Sequence, residues 1–377
     1  MRLNYIANIR FPTEKAHGYQ IARVCTELRA QGVDVTLYVP RRRNTIEQPW
    51  YTFYGLPQDL PVVYVPCVDL MMGNAIVDRI AFFIQLVTFG IALCFYTLDK
   101  KVPIMTRDKG LVWFFGILGF RVVFNAHRAA ATPATARMLA RVAGVVSNSR
   151  GTADALVPIV TAPIIVIPNG SDENPYRTTP ASTLRAELSL PDDVTIVLYS
   201  GHLYSWKGAE TLFAAAVLEK ENNSILFVCV GGLPQDVTQY RSKALEQGLS
   251  NIRYLGHQEK SSIPKYLAAA DILVLPNTDE HEESRTQTSP LKLFEYLAAG
   301  KPIVVSDLPS LRSVVSDEEV VFVLPGDAKG LVGAIQGLML DPVRRSALSE
   351  KSLSASARFT WKIHGATLRA FLETGIG

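Results

Sequence analysis

The stretch VTIVLYSGHLYSWKGAETLFAAAVLEKENNSILFVCV, residues 194–230, decides the fold class. It begins with an apolar, β-branched run typical of a buried strand, continues through a glycine-containing loop into a helix predicted from about Lys207 to Glu221, and ends in a second apolar run. A strand, a helix and a strand in this order form a parallel unit with the helix on one face of the sheet. The stretch therefore predicts an α/β architecture.

The same alternation recurs on both sides of this stretch. In the first half the predicted strands are LNYIANI, VDVTLYV, PVVYV, VPIMT, RVVFNA, GVVSNS and PIIVIP. In the second half they are VTIVLYS, SILFVCV, NIRYLG, DILVLP, PIVVS and VVFVL, separated by segments of helical length. Such a pattern is typical of parallel sheets covered by helices on both faces, so we expect two doubly wound sheets of similar size.

The length of 377 residues also favours two domains, because single cores of this size are uncommon. The alternation is interrupted after Pro168 by the turn-forming segment PNGSDENPYRTTPAS. We place the first domain at residues 1–170 and the second at residues 171–360. The last segment, residues 361–377, has apolar residues at helical spacing and is predicted to form a helix that packs across the joint.

Composition excludes several classes of protein. The chain is 48% hydrophobic and 19% charged, which argues against disorder, and its net charge of +3 gives no general attraction for nucleic acid. The cysteines form no CxxC pair and are predicted to be reduced core residues. The amino-terminal residues MRLNYIANIR alternate like a strand, without the pattern of a signal peptide. We therefore expect a cytoplasmic protein.

One uncharged segment, Ile80–Leu98, is long enough to span a bilayer. Because a strand-like run and another helix–strand pair follow it at once, we expect a buried or surface-seated helix of the first domain. An alternative concerns membrane contact without a span. This segment and the run Arg41–Arg43 could seat the first domain on an anionic membrane, at its inner face, for a lipid-linked acceptor.

Candidate functional residues in the first half follow predicted strands, because ligands of open parallel sheets bind beyond the carboxyl ends of the strands. His127 follows RVVFNA, where an imidazole can donate to a sugar hydroxyl or help to position a scissile bond. Arg107 follows VPIMT, although a loop clamp with Asp108 would also explain it.

The first loop, RFPTEKAHG, contains Lys15, His17 and Gly18 and leads into the first helix. It has no GxGxxG pattern, which makes a dinucleotide-dependent oxidoreductase improbable. The start of a helix favours anions or sugar hydroxyls, but a polar loop with a glycine for tight packing explains these residues equally well.

The loop after the strand VTIVLYS contains His202 and Lys207. A lysine beside the free amides of a helix start makes a phosphate site, because the ammonium charge and the helix dipole act together. The alternative is a solvated lysine in the first turn. Gly231 ends the next strand and leaves room for a close approach of the backbone to a ligand.

The segment Thr286–Gly300, TQTSPLKLFEYLAAG, is predicted to contain a helix from Leu291, capped by Ser289, with Pro290 in the first turn and Gly300 at its end. Its first amides would face a bound ligand.

Glu295 lies within this otherwise apolar helix, so we expect its carboxylate to bind a group such as the vicinal hydroxyls of ribose. An ion pair with Lys292 is the alternative. The acidic run at 279–283 is interpreted as a solvated loop, and no metal is expected.

Together, the motifs GHLYSWKG, YLGHQEKSSIPKYLAAADILVLP and SPLKLFEYLAAGKPIVVSDLPSLRSVV resemble those of the retaining glycosyltransferases of GT-B fold, family four, also called glycosyl transferases group 1. The segments IPNGSD, TRD and FNAH extend the resemblance into the first half. The resemblance implies two Rossmann-like domains facing a cleft. It also implies that the first domain binds the acceptor and the second binds a nucleoside diphosphate sugar.

The resemblance assigns roles to individual residues. It implies that Lys207 neutralises the diphosphate, that His127 lies near the transferred sugar, and that Glu295 binds the ribose. It also implies that the backbone of the loop with His257 and Gln258 meets the base.

Two departures from the family's pattern are present. Gln287 replaces the first acid of the family's acid pair, which makes the sugar harder to predict, and His202 stands for an arginine that commonly accompanies the lysine. A histidine shares a phosphate contact only when it donates or is protonated.

The sequence thus predicts a metal-independent glycosyltransferase that retains the anomeric configuration and needs no cofactor besides its donor. The expected partners are a nucleoside diphosphate sugar and a glycan, lipid-linked or small-molecule acceptor, with no nucleic acid. Two alternatives are a nucleotide-sugar epimerase on the same scaffold and an inactive paralogue that only binds sugar nucleotides.

Overall fold

The computed structural model describes residues 1–70, 75–96 and 99–376. The chain divides into two compact units, of which the first contains Met1–Pro168 and Trp361–Gly377 and the second contains Asn169–Thr360. The division lies at the turn-forming segment of the sequence. The carboxy-terminal helix belongs to the first unit.

The first unit contains a seven-stranded sheet in which every pair of neighbouring strands is parallel. Its strands are β1 (Arg2–Ile6), β2 (Asp34–Pro40), β3 (Val62–Val65), β4 (Ile104–Thr106), β5 (Val122–Ala126), β6 (Gly144–Ser147) and β7 (Ile164–Val166). Their order across the sheet is β3-β2-β1-β4-β5-β6-β7. Central strands such as β5 are buried at every position, which explains their continuous apolar sequence.

The helices of the first unit cover this sheet. They are α1 (Ala16–Ala30), α2 (Trp50–Tyr54), α3 (Ala75–Leu93), α4 (Lys109–Ile117), α5 (Pro133–Leu139), α6 (Arg150–Leu156) and, from the end of the chain, α15 (Trp361–Thr374). Helix α15 packs on α1 so closely that a Cβ atom on Gly365 would lie 2.5 Å from Cγ of Glu27. The amino-terminal and carboxy-terminal parts of the chain therefore share one core.

The apolar segment predicted at Ile80–Leu98 is helical up to Leu93, and residues 97 and 98 lie outside the described part of the chain. Its helix, α3, buries Ala81, Phe89 and Leu93 in the first unit. Across the described ranges, we find no helix with both the length and the apolar character that a membrane span requires.

The second unit contains a six-stranded sheet, again with parallel pairs throughout. Its strands are β8 (Thr195–Ser200), β9 (Ile225–Val230), β10 (Ile252–Gly256), β11 (Ile272–Leu275), β12 (Ile303–Ser306) and β13 (Val321–Val323). Their order is β10-β9-β8-β11-β12-β13. Alternate residues of β8 enter two separate cores, one on each face of the sheet.

Eight helices of the second unit cover both faces. They are α7 (Ala181–Glu187), α8 (Ala209–Leu218), α9 (Pro234–Glu246), α10 (Ile263–Ala269), α11 (Leu291–Ala299), α12 (Pro309–Arg312), α13 (Ala328–Leu340) and α14 (Pro342–Ser356). The predicted strands and the helix at Leu291–Ala299 are confirmed. Several helices, α13 and α14 among them, were not predicted.

Both sheets share one topology, in which the chain first builds three strands toward one edge and then crosses to the other side of the first strand. This reversal places a switch point between β1 and β4 in the first unit and between β8 and β11 in the second. Ligands of doubly wound sheets bind outside the carboxyl ends of the strands at such points. The loops that follow these strands are therefore the places to look for a functional site.

Candidate functional site

In the second unit, the loop after β8 lies against the segment that follows β11. Gly208 joins a short 3₁₀ turn, Ser205–Lys207, to α8 and has a φ of +84°. A Cβ atom at Gly208 would lie 1.8 Å from the carbonyl oxygen of Pro276. Only glycine allows the turn to approach the Pro276 backbone so closely. The position of the turn then fixes the position of Lys207.

Lys207 lies just before α8, which begins at Ala209 instead of at the predicted Lys207. Its Nζ atom is 3.8 Å from the centre of the Trp206 ring, a cation–π contact. Burial lowers the pKa of Lys207 to about 8, and the negative charge of Glu283 opposes this shift. The side chain is therefore a partly desolvated cation at the carboxyl end of β8.

Lys292, which the sequence analysis did not select, carries a second buried ammonium group. Its Nζ atom is buried, has no hydrogen-bond partner among the described residues, and lies 4.0 Å from the centre of the Tyr199 ring. Burial, and then the charge of Lys207, lower the pKa of Lys292 well below its usual range. Two lysine amines therefore lie in the same small region, where a bound anion would favour their protonated forms.

Glu295 forms an ion pair with Lys260, from the short turn before α10. The alternative pairing with Lys292 is therefore wrong, although the Glu295 charge does act to raise the pKa of Lys292. The partner of Glu295 is 35 residues away in sequence. Both side chains of the pair are partly exposed, so the carboxylate stays accessible.

His202 lies in the same loop as Lys207, and its ring stacks on Tyr204 with centres 5.0 Å apart. Burial, followed by the charges of Lys292 and Lys207, lowers the pKa of His202. Its Nδ1 atom is buried and has no hydrogen-bond partner within the described chain. The same is true of the amide group of Asn277 and the hydroxyl of Thr278, which follow β11. A polar ligand at the switch point would satisfy such groups.

Helix α11 spans the predicted residues and ends at Gly300, which has a φ of +61°. The prediction that Ser289 caps this helix is wrong. The Ser289 Oγ atom instead accepts a hydrogen bond from the backbone of Asn169 at 3.3 Å. Pro290 occupies the N-cap position instead of the first turn, and no described side chain caps the helix. The amides that begin at the half-buried Leu291 therefore remain available for a ligand.

Two further predicted residues lie near the start of α11 and in the loop after β9. Gln287 ends a short π-helical turn, Glu283–Gln287, and is buried. Gly231 donates its backbone N–H to Gly256 at 2.7 Å, and a Cβ atom on it would lie 2.5 Å from the carbonyl oxygen of Gly201. The loops after β8, β9 and β10 therefore meet backbone to backbone.

The loop after β10 contains His257 and Gln258. His257 is exposed, and its charge contributes to lowering the pKa of His202. The Gln258 side chain donates to Leu255 at 3.4 Å and accepts from the Tyr266 hydroxyl at 3.3 Å. This loop therefore lies close enough to His202 for its charge to act there.

In the first unit, His127 directly follows β5, and its Nδ1 atom lies 3.1 Å from the side-chain nitrogen of Asn148. Burial, and then the charges of Arg107, His364 and His17, lower the pKa of His127 well below its usual range. The fold thus collects the predicted residues His127, Arg107 and His17. It adds His364, from α15, which no signal in the sequence connects to this site.

Arg107 donates to the hydroxyl of Tyr5 at 3.3 Å, while one of its terminal nitrogens is buried without a partner among the described residues. Asp108 does not clamp Arg107, because it caps α4 by accepting from Gly110 and Leu111. Both side-chain atoms of Asn8, which follows β1, are also buried without a described partner. Unsatisfied polar groups therefore follow β1 and β4, the strands at the first switch point.

The three residues of the first loop have different environments. Lys15 is exposed at the start of α1, and its side chain makes no cap. Burial, with Arg107 and Lys15 nearby, lowers the pKa of His17 to about 4. Gly18 has a packing role, because a Cβ atom there would lie 2.2 Å from the hydroxyl oxygen of Tyr54.

The acidic run at 279–283 shows no metal site. Glu282 pairs with Arg285, and within the described ranges no three His, Cys, Asp or Glu side chains converge to hold a metal ion. Independence from metals stays a prediction.

Comparison with known proteins supports the assignment of the second unit. Residues 181–354 match the family described as glycosyl transferases group 1. The match covers most of the second unit. The resemblance noted from the sequence motifs is therefore confirmed for this part of the chain.

A curated relative of this chain is the D-inositol 3-phosphate glycosyltransferase of Xylanimonas cellulosilytica, 29% identical over 232 residues. The alignment covers 58% of this chain and 53% of the relative, so the chain spans about half the length of that protein.

Among solved structures, the sucrose-phosphate synthase of Thermosynechococcus elongatus has a TM-score of 0.77 at 21% identity and covers 99% of this chain and 98% of its own. HepE of Anabaena in complex with UDP has a TM-score of 0.76 at 16% identity and covers 99% and 100%. At these identities the likeness concerns the fold, and it confirms the predicted GT-B fold class with its two Rossmann-like domains.

Proposed function

We propose that this protein is a glycosyltransferase that moves a sugar from a nucleoside diphosphate sugar to an acceptor, with retention of the anomeric configuration. The observation that carries the proposal is the convergence of positive charge in the second unit. Lys207, Lys292 and the uncapped start of α11 supply two ammonium groups and free backbone amides in one region. A diphosphate is the common biological group that matches this charge and donor pattern.

The proposed mechanism is electrostatic. Departure of the nucleoside diphosphate leaves negative charge on the leaving phosphate, and fixed cations in a partly desolvated site stabilise it as it develops. Lys207 and the α11 amides contact the diphosphate, Lys292 adds charge, and neutral His202 donates one hydrogen bond. Because two ammonium groups supply the positive charge, the proposal includes no metal and no cofactor besides the donor.

Other residues of the site bind the ribose and the base of the donor, and the acceptor. Glu295 accepts hydrogen bonds from the ribose hydroxyls in place of its ion pair with Lys260. The loop with His257 and Gln258 meets the base. In the first unit, His127 lies near the transferred sugar, and Arg107 and His17 contact the acceptor. The unsatisfied atoms of Arg107 and Asn8 support a polar acceptor.

The acceptor class stays open among glycans, lipid-linked sugars and small molecules. A curated relative is named for a small phosphorylated acceptor, D-inositol 3-phosphate. The UDP in the HepE complex supports a uridine nucleotide as the first donor to test. A cytoplasmic protein with peripheral membrane contact is part of the same proposal.

The experiment is a screen of UDP and GDP sugars for thermal stabilisation, followed by product analysis with and without acceptors. A ligand at 100 times its Kd stabilises the folded state by about 2.7 kcal/mol, which gives a clear shift. Lys207→Ala is expected to lower turnover by about 10² to 10³ while the protein stays folded, because it removes one electrostatic donor.

The outcomes separate the alternatives. Transfer only in the presence of an acceptor supports the proposal, and conversion of the donor alone would identify an epimerase. Binding without turnover across the panel would indicate a binding paralogue. Full turnover in Lys207→Ala would refute the role of that lysine.

A further inference from the structure

The outer face of α3 exposes a row of large apolar side chains. Ile80, Phe83, Val87 and Ile91 are spaced three or four residues apart, so they lie on one side of the helix. They are 63%, 65%, 41% and 51% exposed, and Phe95, just beyond the helix, is 83% exposed. The opposite side of α3 is buried. An apolar row of this length is unusual on a surface without a partner.

Helix α4 extends this surface. A Cβ atom built on Gly110 would lie 3.1 Å from the Leu86 side chain, and a Cβ atom built on Gly90 would lie 3.7 Å from the Phe114 ring. Helices α3 and α4 are therefore in direct contact. The exposed side of α4 presents Trp113 and Ile117. We call the combined surface the apolar face; it consists of Ile80, Phe83, Val87, Ile91, Phe95, Trp113 and Ile117.

Basic residues border the apolar face. Arg137 and Arg141 are exposed and line a shallow recess with Trp113 and Ile117. Beyond the end of α4, the Lys100 Nζ atom is 5.7 Å from the centre of the Phe120 ring.

The sequence around these residues is strongly basic. Residues 100–150 contain one acidic residue, Asp108, against nine basic residues: Lys100, Lys101, Arg107, Lys109, Arg121, Arg128, Arg137, Arg141 and Arg150. The whole chain has a net charge of only +3, so this segment carries more than its share of the positive charge, although Arg107 lies at the first switch point and Arg150 pairs with Asp154.

The arginine run at Arg41–Arg43, considered for membrane contact from the sequence, has exposed side chains at Arg41 and Arg43 but not at Arg42. Arg42 is largely buried and forms an ion pair with Asp69 at 3.3 Å. The backbone N–H groups of Arg41 and Arg43 bond to Val65 and Asp69. These bonds fix the backbone of the run beyond β2, and the apolar face does not rely on its charges.

We propose that the apolar face docks onto the surface of an anionic membrane. Its aromatic and aliphatic side chains would enter the boundary between headgroups and acyl chains, and Arg137, Arg141 and Lys100 would meet lipid phosphates. The positive charge selects this occupant, because two copies of a basic face would repel each other while an anionic lipid surface attracts it. This inference rests on the peripheral membrane contact included in the proposed function and deepens it by naming the surface and the lipid charge that it recognises; the binding itself does not require the transfer reaction.

The test is flotation of the full-length protein with phosphatidylcholine vesicles that contain or lack phosphatidylglycerol, at low and high salt. We expect binding to the anionic vesicles, weakened by salt. Phe83→Glu combined with Ile91→Glu should reduce it by about tenfold or more, since it places charges in the apolar boundary. Leu245→Glu combined with Leu340→Glu is the matched control, because these leucines are also highly exposed but lie in the second unit.

A second pair of variants tests the charges. Arg137→Glu combined with Arg141→Glu should reduce binding to anionic vesicles and its dependence on salt, whereas Arg344→Glu, at an exposed position of α14, should not. All variants are compared by circular dichroism and thermal melting, and exposed positions are expected to leave folding intact.

Three results would overturn the inference: no binding of the unchanged protein to either vesicle, equal binding of the apolar-face variant and its control, or a concentration-dependent dimer that the variant abolishes. Failure here is distinguishable from failure of the proposed function. Thermal stabilisation by UDP should be unchanged in Phe83→Glu with Ile91→Glu, and vesicle binding should be unchanged in Lys207→Ala.

Discussion

Lys292 carries a buried ammonium group in the first turn of α11, where the helix dipole already disfavours positive charge. The Tyr199 ring compensates only in part, and Lys207 adds repulsion. A charge in such a place destabilises the protein without ligand and strengthens the binding of an anion. This trade of stability against affinity is expected of a binding residue rather than of a structural one.

We therefore predict opposite effects of Lys292→Met on stability and on binding. Without ligand, the variant should be more stable by about 1 kcal/mol, or about 2–4 °C in Tm, since an apolar side chain of similar length replaces an unpaired charge. Its affinity for UDP should fall by about tenfold or more. Lys329→Met, at an exposed position of α13, is the control for both measurements. A less stable variant with unchanged affinity would contradict the assignment.

The lowered pKa of Lys207 predicts a pH dependence of donor binding. In the folded protein its pKa is about 8, below the ordinary value of 10.5. Without ligand, the unfolded chain therefore binds more protons than the folded one between these values, and stability rises with pH across this window. A bound diphosphate favours the protonated lysine, so affinity should be highest below pH 8 and should decrease above it.

Calorimetry of UDP binding on either side of pH 8, in two buffers with different ionisation enthalpies, would detect the linked uptake of a proton. Lys207→Arg should flatten the dependence, because a guanidinium stays protonated throughout this range. An affinity that rises with pH would disprove the linkage.

At the scale of elements, the turn that joins the 3₁₀ segment Ser205–Lys207 to α8 determines where Lys207 lies. We predict that Gly208→Ala lowers the Tm and weakens UDP binding, since its Cβ atom would clash with the Pro276 carbonyl oxygen and displace the turn. Gly326→Ala is a matched control with a similar φ of +75° and no atom within 4 Å of the added Cβ. The control should lose some stability through backbone strain and keep its affinity for UDP.

The strands were predictable because buried parallel strands are continuous apolar runs, as in β5 and β9. Helix α13 was missed because its sequence, AKGLVGAIQGLML, contains three glycines, which weaken the local helical signal. Tertiary packing of Leu331 and Ile335 stabilises it instead.

The site was predictable only in part. Loops that follow strands could be found from the sequence, and they contain Lys207, His202 and His127. The partner of Glu295 could not be found from the sequence, because local spacing suggests Lys292, whereas the fold brings Lys260 from another element. The burial of Lys292 and the position of His364 beside Arg107 likewise depend on contacts between elements that are distant in sequence.

At the scale of the whole molecule, the two sheets share a topology but present different chemistry at their switch points. The second unit offers lysines and free amides, which favour a diphosphate. The first offers Arg107, neutral histidines and the amide of Asn8, which favour hydroxyl-rich or weakly charged groups. The proposed division of labour between donor and acceptor thus agrees with which residues follow equivalent strands.

This division predicts where a nucleotide alone will protect the protein from hydrogen exchange. UDP at saturating concentration should slow exchange in the loops at 201–208, 276–278 and 289–292, because ligand binding suppresses the local opening of the segments that it contacts. The surface of α3 and α4 in the first unit should exchange as before. Mass spectrometry of peptides with and without UDP, repeated with Lys207→Ala at the same nucleotide concentration, would measure this. Protection confined to the first unit would place the diphosphate at the wrong switch point and would remove the basis for assigning donor binding to Lys207 and Lys292.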